Sequence, residues 1–300
     1  MFSIAFSVAV AAGAKIDSAK IEQIIGAKGT YSEKENVFKV SSPRTDIKVQ
    51  VDGWTMPPFM GLTSYAAFTP VKGKQLMLMG DTVLLQDEVN PAMSAAFDSG
   101  LEVTALHNHF FFDEPKLYFM HIGGTGDAQK LARGVKAVWD KIKEVRAASS
   151  DPAGRFPGRE IPAQSSISAA PLQKILGTQG QANNGMFKAV WGLTSRMQGV
   201  GFGNEMGLNT WAAFAGSDDN AVVDGDFAMH ENELQAVLRS MRNEGINVVA
   251  IHSHMAGEQP KILFMHYWGR GKAEDLARSL RKTLAAQRGA GRGTMAAHGG

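Results

Sequence analysis

Six of the eight histidines in this 300-residue chain fall into two triplets of identical spacing. His107 and His109 are followed by His121, and His252 and His254 are followed by His266. On a strand, residues two apart point to the same face, so each His-x-His pair projects two imidazoles together. If the return strand pairs antiparallel with the first, it brings the third imidazole beside them, since directly opposed cross-strand neighbours lie about 5 Å apart. Three converging imidazoles offer three nitrogen ligands to a divalent transition metal, zinc or copper, and leave further positions open. Asp113 and Glu258, at equivalent loop positions, are candidate oxygen ligands or partners of the ligands. Glu88 and Glu233, at the start of a helix in each copy, are candidate general bases. The competing reading is structural: buried histidines commonly satisfy hydrogen bonds, and duplication copies structural residues as faithfully as functional ones.

The two triplets belong to a larger repeat. Leu101-Glu-Val-Thr-Ala-Leu-His-Asn-His109 aligns with Ile246-Asn-Val-Val-Ala-Ile-His-Ser-His254, an offset of 145. The same offset relates Pro115-Lys-Leu-Tyr-Phe-Met-His121 to Pro260-Lys-Ile-Leu-Phe-Met-His266, and Gly80-Asp81 to Gly225-Asp226. Self-similarity at one fixed period marks a duplicated unit. The implied organisation is a possible signal segment at 1–14, repeat 1 at 15–146, a linker at 147–171, repeat 2 at 172–286 and a disordered tail at 287–300.

The histidines need strands to hold them, and the flanking sequence supplies them. Alternating apolar positions bounded by turn residues predict strands near 37–40, 47–51, 65–68, 75–79, 103–109 and 117–121. Asn90-Pro91 reads as N-cap and first helical residue of a helix that Gly100 closes. The second copy has Leu234-Gln235 at this helix start, which sets the two copies apart. Leu131, Val135, Val138 and Ile142 recur at helical spacing. The expected fold class is α+β: two pseudo-symmetric copies of a mainly antiparallel sheet, each with two helices packed on it.

Composition narrows the classes further. Hydrophobic residues make up 44% and charged residues 20%, as in folded globular chains. The formal net charge of +2 creates no field that would recruit nucleic acid, so the expected partner is a metal or small molecule. The absence of cysteine excludes disulfides, thiolate ligands, iron–sulfur clusters and a cysteine nucleophile. The apolar run at 2–14 is too short to span a bilayer, and Ala12-Gly13-Ala14 has the small-x-small pattern of a signal peptidase site, although no basic stretch precedes it. The expected location is periplasmic or secreted.

The segment Asp87-Glu-Val-Asn-Pro-Ala-Met93, the two histidine-bearing runs of repeat 1 and the duplication itself resemble the LppY/LpqO family over residues 17–285. That resemblance implies a bacterial, exported, duplicated domain without an assigned activity. This chain lacks the acylatable cysteine of the lipoprotein members. His252-Ser253-His254 with upstream Glu233 is similar to the JAMM-type zinc hydrolases, in which the third ligand is an aspartate; here His266 stands near that position. The spacing of His254 and Glu258 also resembles the first metal motif of cupins, whose barrel the helices do not suit. The functional expectation is an exported metal-binding protein with a His-triplet site in each repeat, extending to a metal-dependent hydrolase or oxidoreductase. A metal or small-ligand carrier and a metal-free structural protein are the alternatives.

Overall fold

The computed structural model describes residues 16–297, with side chains through residue 291. The candidate signal segment at 1–14 lies outside the described residues. Repeat 1 runs α1 (Ser18–Ile25), β1 (Gly29–Ser32), β2 (Val37–Pro43), β3 (Gln50–Val51), β4 (Trp54–Thr55), β5 (Thr63–Pro70), β6 (Leu76–Leu85), α2 (Gln86–Asp98), β7 (Glu102–His107), β8 (Asp113–Glu114), β9 (Leu117–Gly126) and α3 (Ala128–Ala148). Repeat 2 follows with α4 (Ala169–Leu176), β10 (Gly180–Asn183), β11 (Met186–Gly192), β12 (Ser195–Met197), β13 (Val200–Phe202), β14 (Asn209–Ser217), β15 (Asn220–His230), α5 (Leu234–Asn243), β16 (Asn247–His252), β17 (Ile262–Gly271) and α6 (Ala273–Ala297).

The strands of both repeats form one 12-stranded sheet, in the order β1-β2-β5-β6-β9-β7-β16-β17-β15-β14-β11-β10. Read from either edge, the order visits equivalent strands in the same sequence, and its pairings are antiparallel. The mainly antiparallel α+β expectation therefore holds, but the two copies share a single sheet. Each repeat also carries three helices rather than two. The additional ones, α1 and α4, are eight residues each and end on left-handed glycines, Gly26 and Gly177. Only Ile21 and Ile25, or Leu172 and Leu176, are buried on them, too few positions to stand out as a helical period.

Strand alternation divides the molecule into layers. In β9, Met120 and Ile122 join Leu78 and Leu84 of β6 in the main core beneath the helices, with Val89 and Met93 of α2 and Val135 and Val138 of α3. The intervening residues Leu117 and Phe119 face the other way, into a smaller cluster with Val49, Leu62, Val83 and Leu85. Leu208, Ala228, Ile262 and Phe264 repeat that second cluster in the other copy. The expected strand at 47–51 is reduced to β3, which pairs with β4 and β8 in a three-stranded sheet of its own.

The seam between repeats is thin, a single ladder pair, Leu106 with Ile251. It is reinforced from above by side chains. Asn90 on α2 donates to the Val248 carbonyl at 3.1 Å and accepts from the Val248 N–H at 2.9 Å. Gln235 on α5, at the offset of 145 from Asn90, makes the reciprocal pair with Val103, at 2.8 and 3.1 Å. Val103 and Val248 sit at register shifts in β7 and β16, where the ladder leaves backbone groups unpaired. Each repeat thus satisfies the irregular strand of the other. Asn90 is therefore not an N-cap. The helix begins at Gln86 and takes Pro91 into its interior, because the Glu88 carboxylate already accepts from the Leu85 N–H at 2.8 Å. Residues 287–297, expected to be disordered, continue α6 despite glycines at 289, 291 and 293. Gln287 anchors the start of this stretch by donating to the Ala228 carbonyl and the Glu233 carboxylate. Residues 298–300 of the expected tail lie outside the described residues. No helix among the described residues is long and apolar enough to cross a membrane.

Candidate metal centre

All six triplet histidines belong to the side of the sheet away from the helices. His107 and His252 flank the Leu106–Ile251 pair on adjacent central strands, and both of those apolar residues face the helices. In repeat 2 the rings of His252 and His254 lie 5.1 Å apart, and those of His252 and His266 are 4.8 Å apart and stacked. In repeat 1 the corresponding distances are 5.1 Å for His107 and His109 and 5.2 Å for His107 and His121. His109 and His254 follow the ends of their strands, and each stacks on a phenylalanine: Phe119 at 3.3 Å and Phe264 at 3.4 Å.

The group whose ligand atoms converge in repeat 2 is Asp226, His252 and His254, all within 4.8 Å of one another. His254 Nε2 lies 3.1 Å from His252 Nε2 and 3.3 Å from Asp226 Oδ2. His266 stands beside this group, its Nδ1 3.3 Å from the Gly225 carbonyl. Asp226 is 4% exposed, and its Oδ1 has no hydrogen-bond partner among the described residues. His252 Nδ1 is likewise buried without a partner. A buried, incompletely paired carboxylate is costly unless a cation offsets it. In repeat 1, Asp81 Oδ2 is 4.0 Å from His121 Nε2, and Asp81 Oδ1 is similarly unpartnered.

Sequence reasoning missed these aspartates as ligands, although the pairing of Gly80-Asp81 with Gly225-Asp226 was visible. A glycine beside an aspartate suggests a turn; here both pairs lie inside long strands. Gly225 is required there by crowding, since a Cβ would sit 2.2 Å from the Tyr267 hydroxyl. Asp226, one residue on, points to the opposite face and lies directly across the ladder from His266, as Asp81 does from His121.

Electrostatics favour a neutral ring at His252 and at His109. Burial pushes the His252 pKa below the usual histidine value, with His266 and His254 adding to the shift and Asp226 opposing it. Burial likewise lowers His109, with Asp81 opposing and His107 and His121 contributing. A neutral imidazole is the metal-binding form.

The other candidates do local work. Asp113 accepts from Lys116 Nζ and the Leu117 N–H, both at 2.7 Å, and Glu258 accepts from the Ile262 N–H at 3.0 Å. Both carboxylates therefore tie down the turn that leads into the return strand. Glu88 is fully buried and accepts from Arg44 at 2.8 and 3.0 Å, with Arg146 Nε 2.8 Å away. Glu233 accepts from the His230 N–H and from Gln287 Nε2, both at 2.9 Å. The Leu85 and His230 N–H groups that these glutamates bind lie four residues beyond Asp81 and Asp226, about 13 Å along the strand. The structure does not bring Glu88 or Glu233 to the imidazoles.

The fold and site describe a duplicated α+β protein with a histidine–aspartate group suited to a cation. A family described as a domain of unknown function (DUF1529, DUF1259) matches residues 19–141 and again 170–286, and the chain belongs to this family. The double match bears out a duplicated domain family without an assigned activity. No curated protein sequence matches the chain. Among solved structures, the trimeric bacterial microcompartment shell protein PduB is 10% identical, with a TM-score of 0.22, over 90% of this chain and 93% of that one. The double-ringed trimeric shell protein MSM0271 from the RMM microcompartment is 11% identical, with a TM-score of 0.19, over 74% and 85%. Similarities this weak carry no argument about function.

Proposed function

We propose that this chain is a metal-binding protein, holding a divalent transition-metal ion at Asp226, His252 and His254, with Asp81, His107, His109 and His121 as a related site in repeat 1. The observation that carries the reading is the buried Asp226 carboxylate, one oxygen 3.3 Å from His254 and the other unpartnered. Two imidazoles and one carboxylate suit zinc, copper or non-haem iron, and three protein ligands leave coordination positions open. A metal bound this way acts as a Lewis acid or lowers the pKa of a bound water, which is the basis of the proposed hydrolase or oxidoreductase activity. The chain's own part is to keep the His252 ring neutral, to lock His254 against Phe264 and to hold the carboxylate away from bulk water. Export is part of the proposal and rests on the Ala12-Gly13-Ala14 pattern and the LppY/LpqO resemblance.

Elemental analysis of full-length protein purified without a histidine tag tests the reading. About one bound ion per site is expected, lost from repeat 2 in a His252→Ala/His254→Ala variant. Absence of stoichiometric metal after incubation with zinc, copper or iron, or metal content unchanged in the double variant, overturns it.

A further inference from the structure

A second feature belongs to repeat 1 alone and lies on the helix side of the sheet. A cavity of about 500 Å³ opens between the end of α3 and strands β2 and β5, within the size range of small-molecule sites. Its lining includes three cationic side chains, Arg44, Lys143 and Arg146, and one carboxylate, Asp46. Ser42 and Ser64 add hydroxyls, and Trp139 and Ile142 an apolar wall.

Two hydrogen-bond donors in this lining have nothing to donate to. Arg146 Nη1 and Trp139 Nε1 are buried, and neither has a partner among the described residues. The Arg146 side chain is 9% exposed, and Trp139 is 6% exposed. Behind them the fully buried Glu88 grips Arg44 and Arg146 together, and Asp46 and Asp87 pair with the outer edges of the two guanidiniums, so both are held in place before any ligand arrives. Asp46, Glu88 and the Val83 carbonyl accept all five N–H groups of Arg44, so the donors left calling for an acceptor are Arg146 Nη1 and Trp139 Nε1, with the exposed Lys143 ammonium in the same lining.

The duplication shows that the fold does not require this arrangement. Leu193 replaces Arg44: its N–H reaches the Leu208 carbonyl just as that of Arg44 reaches Leu62. At the offset of 145, Leu284 replaces Trp139 and Gly291 replaces Arg146. A Cβ on Gly291 would lie 2.8 Å from Glu233 Oε1, which leaves no room there for a side chain like that of Arg146. Gln287 then serves Glu233. Repeat 2 thus keeps the equivalent strands and helices and buries the equivalent glutamate with none of the side chains of Arg44, Trp139 and Arg146.

We propose that this cavity binds a small organic anion, its carboxylate or phosphate group held by Arg146 Nη1, Trp139 Nε1 and Lys143 and its apolar part against Trp139 and Ile142. Calorimetric titration of the full chain with benzoate, phenyl phosphate and the neutral control benzyl alcohol tests this. One equivalent of benzoate or phenyl phosphate should bind at least tenfold more tightly than benzyl alcohol, and the tighter of the two identifies the head group. Trp139→Phe keeps the ring while removing the donor and should weaken binding about tenfold, as for the loss of one hydrogen bond to a charged group. Lys143→Ala, at an exposed position, should weaken it several-fold without affecting folding. Arg146→Gln should abolish binding, but it also removes a partner of Glu88, so the first two variants decide the matter. No binding of either anion at millimolar concentration, equal binding of the neutral control, or affinity unchanged in both Trp139→Phe and Lys143→Ala overturns the proposal.

Discussion

Asp226 separates a metal site from a structural histidine cluster, because the two readings assign opposite signs to its replacement. Asp226→Asn keeps the shape and removes the charge. If the carboxylate is there for a cation, the variant should lose metal affinity by at least the 10–100-fold typical of disturbing a ligand's supporting partner. The metal-free protein should melt no lower than the parent, since a buried carboxylate oxygen without a partner is itself a cost. Competition titration with a chromophoric chelator and thermal melts of the apo proteins read both quantities. A structural aspartate would do the reverse, lowering the apo melting temperature and leaving metal uptake unchanged. His252 adds a pH dependence. Its pKa is lowered in the folded chain, chiefly by burial, from an unfolded value near 6.5. The unfolded state therefore binds more protons as pH falls through that value, so the contribution of His252 to stability is present above about pH 6.5 and declines below it. Apo-protein urea midpoints measured between pH 8 and pH 5 should fall across this window, and less so in His252→Ala.

Among the elements, α2 and α5 are the ones that join the halves. Asn90 is 6% exposed and satisfies both backbone groups of Val248 at a register shift in β16. Asn90→Ala leaves a buried N–H and a buried carbonyl without partners, which should cost about 2–4 kcal/mol. Urea denaturation should show a lower midpoint with an unchanged slope. Gln235→Ala, which frees Val103 in the same way, should give a loss of similar size. A change below about 0.5 kcal/mol in both variants would mean that water replaces these clasps and that the seam is held by core packing and by the hydrogen bonds of Arg239 and Arg242 to Phe97, Leu101 and Ser94. The first turns of α2 and of the segment before α5 also show why Glu88 and Glu233 recur: each accepts the N–H at the strand-to-helix corner, of Leu85 and of His230.

At the scale of the molecule, the central pair β7 and β16 makes one sheet of two repeats. Cut there, repeat 1 would bare the β7 edge and leave Asn90 without its partner. An open edge of this kind templates pairing with another chain. Residues 16–148 expressed alone should therefore form dimers or aggregates in size-exclusion chromatography with light scattering; a stable monomer would show that the repeats are separate domains. The same seam sets the two histidine clusters side by side on one face. His121 and His266 lie on strands three spacings apart, about 14 Å across the sheet, while His107 and His252 stand between them on adjacent strands.

What the sequence by itself determined is local and periodic. The His-x-His spacing placed His107 near His109 and His252 near His254, although the strand expected through residue 109 ends at His107 and the second histidine of each pair lies just past its strand. The offset of 145 established the duplication and the equivalence of the triplets. Leu131, Val135, Val138 and Ile142 marked α3 by their spacing, and all four are buried along it. The tertiary structure alone decided which groups complete the sites. Asp226 meets the imidazoles because β15 pairs with β17, placing it opposite a residue 40 positions away, and a slip of one residue would turn it to the helix face. Asn90 looked like a helix cap because its local grammar is that of a cap; its partner Val248 lies in the other repeat. Side-chain direction within an element follows from period, whereas neighbours across elements follow from register and packing, and those are properties of the folded sheet rather than of any stretch of chain.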